Sequence, residues 1–229
     1  VILFESDEVL ALDKPPGVSM ATSSKEGKSA EDAVRRLLRA CGVIPPDPLP
    51  LLVHRLDAGT SGVVLFAKTP AAHRALSLSF QERRARKTYR ALVWGHPVPA
   101  KGAIDHALGR DPKDGRKMRV WAGGKPSVTR YATLRRFSSV ADLELHPETG
   151  RTHQIRVHLS ATGHPIVGDD FYGGASRWHG VRDRALREAL ARLTRPLLHA
   201  ERIEIPEMGL DVEAHLPEDY ERVLALLRR

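Results

Sequence analysis

The run Val63 to Ala67 limits the fold more than any other stretch of this chain. Five consecutive apolar residues, too few for a helix and bounded by glycine, read as a strand buried on both faces. A second short apolar run, Leu51-Leu52-Val53, precedes it. Between the two lies His54-Arg55-Leu56-Asp57-Ala58-Gly59-Thr60-Ser61-Gly62. Gly59 and Gly62 let the backbone bend sharply or come close to a neighbour. Asp57 therefore sits on a bend anchored on both sides by buried chain, which is how scaffolds mount reactive side chains. The plainer alternative is a turn aspartate bonded to its own backbone.

Around this centre the pattern predicts short strands and separate helices. Val1 to Phe4 and Val9 to Asp13 read as two strands, the second stopped by Pro15-Pro16-Gly17. Met20 to Lys28 is polar and reads as a loop. Ser29 with Asp32 forms a capping-box pattern ahead of the apolar stripe Ala30, Ala33, Val34, Leu37, Leu38 and Cys41. Thr69-Pro70 starts a second helix. Thr88 to Trp94, Ser127 to Phe137 and Ala141 to His146 read as strands, and Gln154 to Ala161 as a short helix closed by Gly163. The segment from Gly102 to Gly124 is expected to be a long loop or irregular hairpin, and Phe171 to His179 a loop. Val181 to Leu193 and the stretch from Pro217 are expected to be helical, with strands at Leu197 to Ile205 and Leu210 to Ala214. Neighbouring strands broken by separate helices imply an α+β fold: a mixed, mainly antiparallel sheet with flanking helices and loops.

Composition narrows the function classes. The 229 residues carry 36 basic and 28 acidic side chains, a net charge of +8. The basic residues cluster at Arg83 to Lys87, at Arg110, Lys113, Arg116, Lys117 and Arg119, and at Arg182 to Arg187. Clustered positive charge suits a polyanion. Aromatic residues make up only 5%, which disfavours a base-stacking platform. No apolar run approaches the roughly 18 residues of a membrane span. The single cysteine, Cys41, excludes an internal disulfide framework, and an intracellular, cytoplasmic setting is expected.

Several chemistries fail on spacing. Gly27-Lys28-Ser29 lacks the glycine of a phosphate-binding loop, since Thr22 stands there. Gly59-Thr60-Ser61-Gly62 places its second glycine one residue early for a nucleophile elbow. Eleven histidines include no His-Glu-x-x-His, so no metal is expected. What remains is Asp57, Tyr89 and Arg151-Thr152-His153-Gln154-Ile155-Arg156-Val157-His158. The last stretch reads as a helix start crowded with donors, suited to phosphate or carboxylate.

In order and spacing, His54 to Gly62, Lys87-Thr88-Tyr89 and Arg151 to His158 resemble the RluA-type RNA pseudouridine synthases. Asp13-Lys14-Pro15-Pro16-Gly17, Gly163 to Asp169, Tyr172-Gly173, Leu198-His199-Ala200 and Leu216-Pro217 extend the resemblance over nearly the whole chain. It implies a cofactor-free, metal-free isomerase acting on uridine in ribosomal or transfer RNA. It implies Asp57 as the catalytic carboxylate, Arg156 as its partner, and Tyr89 against the target base. His54, Arg55, Thr60, Arg151, Thr152, His153 and Gln154 would contact RNA, and Arg116 and Lys117 would follow its phosphates. One catalytic domain over residues 1–229 is expected, acting as a monomer, without the small RNA-binding domain that many such proteins carry ahead of it. Two rivals remain open: an RNA-binding module without catalysis, and a glycosidase or nucleoside hydrolase, which would need a second carboxylate or a metal.

Overall fold

A computed structural model describes residues 1–21 and 29–229. Most of the predicted loop from Met20 to Lys28 lies outside the described residues. In chain order the elements are β1 (Ile2–Glu5), β2 (Val9–Lys14), α1 (Ala30–Ala40), β3 (Leu51–Leu52), β4 (Ser61–Ala67), α2 (Pro70–Gln81), β5 (Arg86–Trp94) and β6 (Lys101–Asp105). They continue with β7 (Leu108–Arg110), β8 (Met118–Val120), β9 (Val128–Arg136), β10 (Val140–Pro147), α3 (Gln154–Ala161), α4 (Arg184–Ala191), β11 (Leu198–Ile205), β12 (Leu210–Glu213) and α5 (Glu218–Leu227). The chain divides into two compact units: residues 1–87 with 200–215, and residues 88–199 with 216–229.

In the first unit the strand order is β1-β2-β4-β11, with β12 on β11 and β3 beside β4. The pairs β1–β2, β2–β4, β3–β4 and β11–β12 are antiparallel. All seven residues of β4 are buried, which is the reason for its unbroken apolar run. Val63, Leu65 and Ala67 face one cluster with Val9, Ala11, Ile203, Val212 and the α2 residues Ala72 and Leu76. Val64 and Phe66, on the alternate positions, are equally buried. The helix starts are as the sequence predicts. Ser29 and Asp32 form a reciprocal capping box, and the Thr69 hydroxyl accepts from the Ala72 amide at 3.1 Å.

The second unit is built on the antiparallel strand order β5-β10-β9-β6. Its strands alternate sides. Ala91, Val93, Ala141, Leu143 and Leu145 pack with Ile155 and Leu159 of α3. Leu92, Trp94 and Val140 pack with α4 and α5. Lys101 to Asp105 is a paired strand on β9, not loop, and β7 and β8 form the hairpin within the basic segment. The Gly, Asp and basic composition hides β6 because its stability comes from β9, distant in sequence, whereas β7 and β8 form the expected irregular hairpin. Among the described residues no helix is long and apolar enough to cross a membrane.

A buried polar knot fixes α5 to this sheet. The fully buried Tyr220 donates its hydroxyl to Asp142 Oδ1 at 3.0 Å, and Asp142 also pairs with Arg90. Tyr220→Phe removes one donor from a buried carboxylate. It should cost about 1–2 kcal/mol in urea unfolding; an unchanged midpoint would mean the bond contributes nothing net.

Candidate active site

Asp57 lies in the turn between β3 and β4, half-buried. Main-chain contacts hold this turn. The Thr60 amide donates to Asp57 O at 3.0 Å, and the Gly17 amide donates to Ala58 O at 2.8 Å. The fully buried Lys14 ammonium donates to Ala58 O at 3.1 Å and to Pro15 O at 2.9 Å. A buried ammonium is costly unless hydrogen-bonded, so these carbonyls and the cation fix one another. Gly62 closes the turn at φ +112°, and a Cβ there would lie 2.1 Å from Ala200 O. No other residue fits.

The other predicted contacts near Asp57 divide. Arg55 is exposed. Thr60 is 2% exposed, so it stabilises the turn and offers little surface to a ligand. His54 also turns inward. Its Nε2 accepts the Leu65 amide at 3.0 Å and its ring stacks on Phe80 at 4.7 Å. Burial, and then the Lys87 ammonium, hold its pKa down to about 3. The ring is therefore neutral, with its proton on Nδ1. Burial and Arg83 in turn bring Lys87 down to about 8.

In the second unit the chain enters α3 through His153, at φ 54°. Arg156, one turn in, is buried and forms a two-pronged pair with Asp169: Nε to Oδ2 at 2.7 Å and Nη2 to Oδ1 at 2.8 Å. Asp169 Oδ1 also accepts from the Phe171 and Tyr172 amides at 3.1 and 3.3 Å. The guanidinium plane is thus fixed by a carboxylate that the chain itself braces. Gln154, expected to contact RNA, is buried and its side chain is engaged within the protein. Its Nε2 donates to Val128 O and Thr129 Oγ1, and its Oε1 accepts from the Arg151 amide and the Thr149 hydroxyl. The nitrogen end ties α3 to β9, and the oxygen end closes the turn that leads into the helix. Thr152 is exposed and Arg151 half-buried. Arg151 Nε is buried with no hydrogen-bond partner among the described residues. His158, fully buried, bridges Thr129 Oγ1 and His106 O, and burial lowers its pKa.

Tyr89 stands on β5 opposite Leu145, half-buried against the Ala91, Val93 and Leu145 cluster. The structure also gathers cations around Phe171. Lys117 Nζ lies 5.5 Å from the ring centroid, Arg116 Cζ 5.7 Å and Arg156 Cζ 5.5 Å. Among the described residues no group of three or more His, Cys, Asp or Glu side chains could hold a metal ion.

A model of the family described as RNA pseudouridylate synthase matches residues 8–161, a span that takes in the Asp57 turn, Tyr89 and Arg156. The chain belongs to that family. The dual-specificity RNA pseudouridine synthase RluA of Escherichia coli is 38% identical over 224 residues, covering 96% of this chain and 94% of that protein. The ribosomal large subunit pseudouridine synthase D of Pseudomonas aeruginosa is 37% identical over 232 residues, covering 100% of this chain and 72% of the relative. The synthase D of Neisseria meningitidis serogroup A is 39% identical, and the chain spans 61% of its length. Human RNA pseudouridylate synthase domain containing 4 has a similar structure, with a TM-score of 0.76 at 27% identity over 99% of this chain and 92% of that one. These pseudouridylate synthase relatives agree with the α+β fold and with an isomerase acting on RNA.

Two residues that brace the motif positions, Lys14 and Asp169, stand in stretches that carry the resemblance, but the sequence assigns neither a role, because the partners Ala58 and Arg156 are reached only through the fold.

Proposed function

We propose that this synthase isomerises selected uridines in structured ribosomal or transfer RNA, with Asp57 as the catalytic carboxylate. The N1–C1′ bond breaks, the uracil turns, and C5 bonds to C1′. The C5 proton leaves and N1 gains one, so atoms and electrons balance without redox change. Asp57 acts on the ribose as nucleophile or base. Tyr89 packs on the target base after it leaves its stack. Arg156, held in one orientation by Asp169, supplies fixed positive charge to the reacting region. Arg55, Arg151, Thr152 and His153 contact the RNA, and Arg116 and Lys117 follow phosphates. The enzyme works as a cytoplasmic monomer and needs neither cofactor nor metal, the reaction being redox-neutral.

The observation that supports this reading most is the fixed turn. Lys14, Gly17, Thr60 and Gly62 over-determine the backbone around one half-buried carboxylate, in a chain that agrees with its Escherichia coli relative nearly end to end. The test is nucleoside mass spectrometry of RNA from cells lacking the protein, incubated with the purified chain. New pseudouridine at defined positions is the expected result. Folded protein that binds these RNAs and leaves every uridine unchanged would favour the non-catalytic module.

Tyr89→Phe separates two tasks of one side chain. Stacking on the base survives the change, whereas proton transfer through the hydroxyl does not. If the hydroxyl moves the C5 proton, kcat should fall by about a hundredfold with RNA affinity kept. Unaltered kcat would leave the tyrosine with packing alone.

A further inference from the structure

The hairpin β7–β8 carries much of the chain's densest positive charge, and its second strand is joined to the start of α3 through one oxygen. The Met118 amide, on β8, donates to the Tyr172 hydroxyl at 3.0 Å. The same hydroxyl lies 2.8 Å from Nδ1 of His153, the residue that turns the chain into α3. Tyr172 is itself firmly mounted. Its amide donates to Asp169 Oδ1 at 3.3 Å, and its carbonyl accepts from Ser160 Oγ on α3 at 2.8 Å. Its ring lies 5.6 Å from that of His153 and 5.1 Å from the Arg156 guanidinium carbon. The consequence is the crowd of cations at Phe171, where Arg116 and Lys117 of the hairpin meet Arg156 of α3. Arg116 is paired with Asp114 and Arg156 with Asp169, so their charges are partly offset, and Lys117 adds a third cation at the same ring. The hydroxyl bond holds the hairpin where an arriving anion would meet Lys117 and Arg116 together.

We propose that Tyr172 is a positioning residue for RNA binding: its hydroxyl docks the β7–β8 hairpin on α3, so that Arg116 and Lys117 are held together in one phosphate-binding face beside Phe171. The proposal rests on the reading of the protein as an enzyme acting on RNA, and it gives the Tyr172 hydroxyl a role in that contact surface. An undocked hairpin would keep its charge but lose the alignment that lets several phosphates be met at once.

Tyr172→Phe isolates the hydroxyl, since the ring contacts remain. Three readouts apply. With a fraction of mixed transfer and ribosomal RNA as probe, Kd should rise about tenfold, the equivalent of one lost hydrogen bond. KM should rise in parallel while kcat at saturating RNA stays within about twofold, because no reacting atom is touched. Amide hydrogen exchange at Met118 and Arg119 should accelerate. In a background where Arg116 and Lys117 are both alanine, the same substitution should change Kd by less than about twofold, since the tyrosine then has no cations to place. Unchanged Kd with unchanged Met118 exchange would overturn the proposal. So would a fall in kcat and thermal stability at constant Kd, which would make Tyr172 a support for Arg156 alone. If the wild-type chain modifies no RNA, the enzymatic reading fails, and RNA binding and amide exchange still decide the docking role by themselves.

Discussion

Asp57→Asn is expected to lower pseudouridine formation on the order of 10³-fold or more, with RNA affinity kept within about threefold. The substitution preserves shape and removes charge. An amide is a far weaker nucleophile and base than a carboxylate, so it cannot form or relieve a bond at the ribose. The fold should tolerate the change. The turn bonds of Thr60 to Asp57 O, and of Lys14 and Gly17 to Ala58 O, all run through main-chain carbonyls, and Asn retains them. Gly62 and its close approach to Ala200 are likewise untouched. Single-turnover incubation at saturating enzyme, followed by nucleoside analysis, separates chemistry from binding. Residual activity above about a tenth of wild type would mean that the carboxylate is not the reacting group, and would return the turn to its plain structural reading.

What the sequence displays and what it conceals divide along a physical line. Local rules name the elements around the site. The Val63 to Ala67 run is a strand because nothing in it tolerates water on either face. Ser29 with Asp32 and Thr69 with Pro70 mark helix starts because their side chains or ring satisfy the first turn locally. The α3 helix ends as expected, with Gly163 at φ +85° just beyond it. Tertiary chemistry is what stays hidden. Gln154 reads as an open donor in a polar helix start, yet four hydrogen bonds to β9 and the preceding turn occupy its amide. His54 reads as a contact beside the carboxylate, yet its Nε2 caps an amide of β4. Gly102 to Asp105 reads as loop or irregular hairpin because its composition is poor in strand formers, and pairing with β9 makes it part of a strand. For the Gln154 nitrogen and for β6 the deciding partner is β9, and for His54 it is the following strand, so the role depends on how separate elements come together.

Asp169→Ala should be the most destabilising of the substitutions considered, costing about 3–5 kcal/mol. Its side chain is fully buried and that of Arg156 is 7% exposed, so the variant takes the Asp169 carboxylate away from a guanidinium in a water-poor site. The loss extends further, since the Phe171 and Tyr172 amides also give up their acceptor on Asp169. Domains of this size have a total stability of roughly 5–15 kcal/mol, so the variant should unfold well below the wild-type temperature. Asp169→Asn supplies the control. It keeps the shape and an acceptor oxygen and removes the charge, so it should unfold at an intermediate denaturant concentration. Activity measured in the cold, where both variants are folded, then reads the second role of the pair. If Asp169 fixes the guanidinium plane for the reaction, kcat should fall in Asn as well as in Ala, because a neutral amide cannot hold both N–H groups as the carboxylate does. A loss below about 1 kcal/mol for Ala would show that Arg156 finds another acceptor. Full kcat in the folded Asn variant would confine Asp169 to stability and leave the orientation of Arg156 to its remaining neighbours.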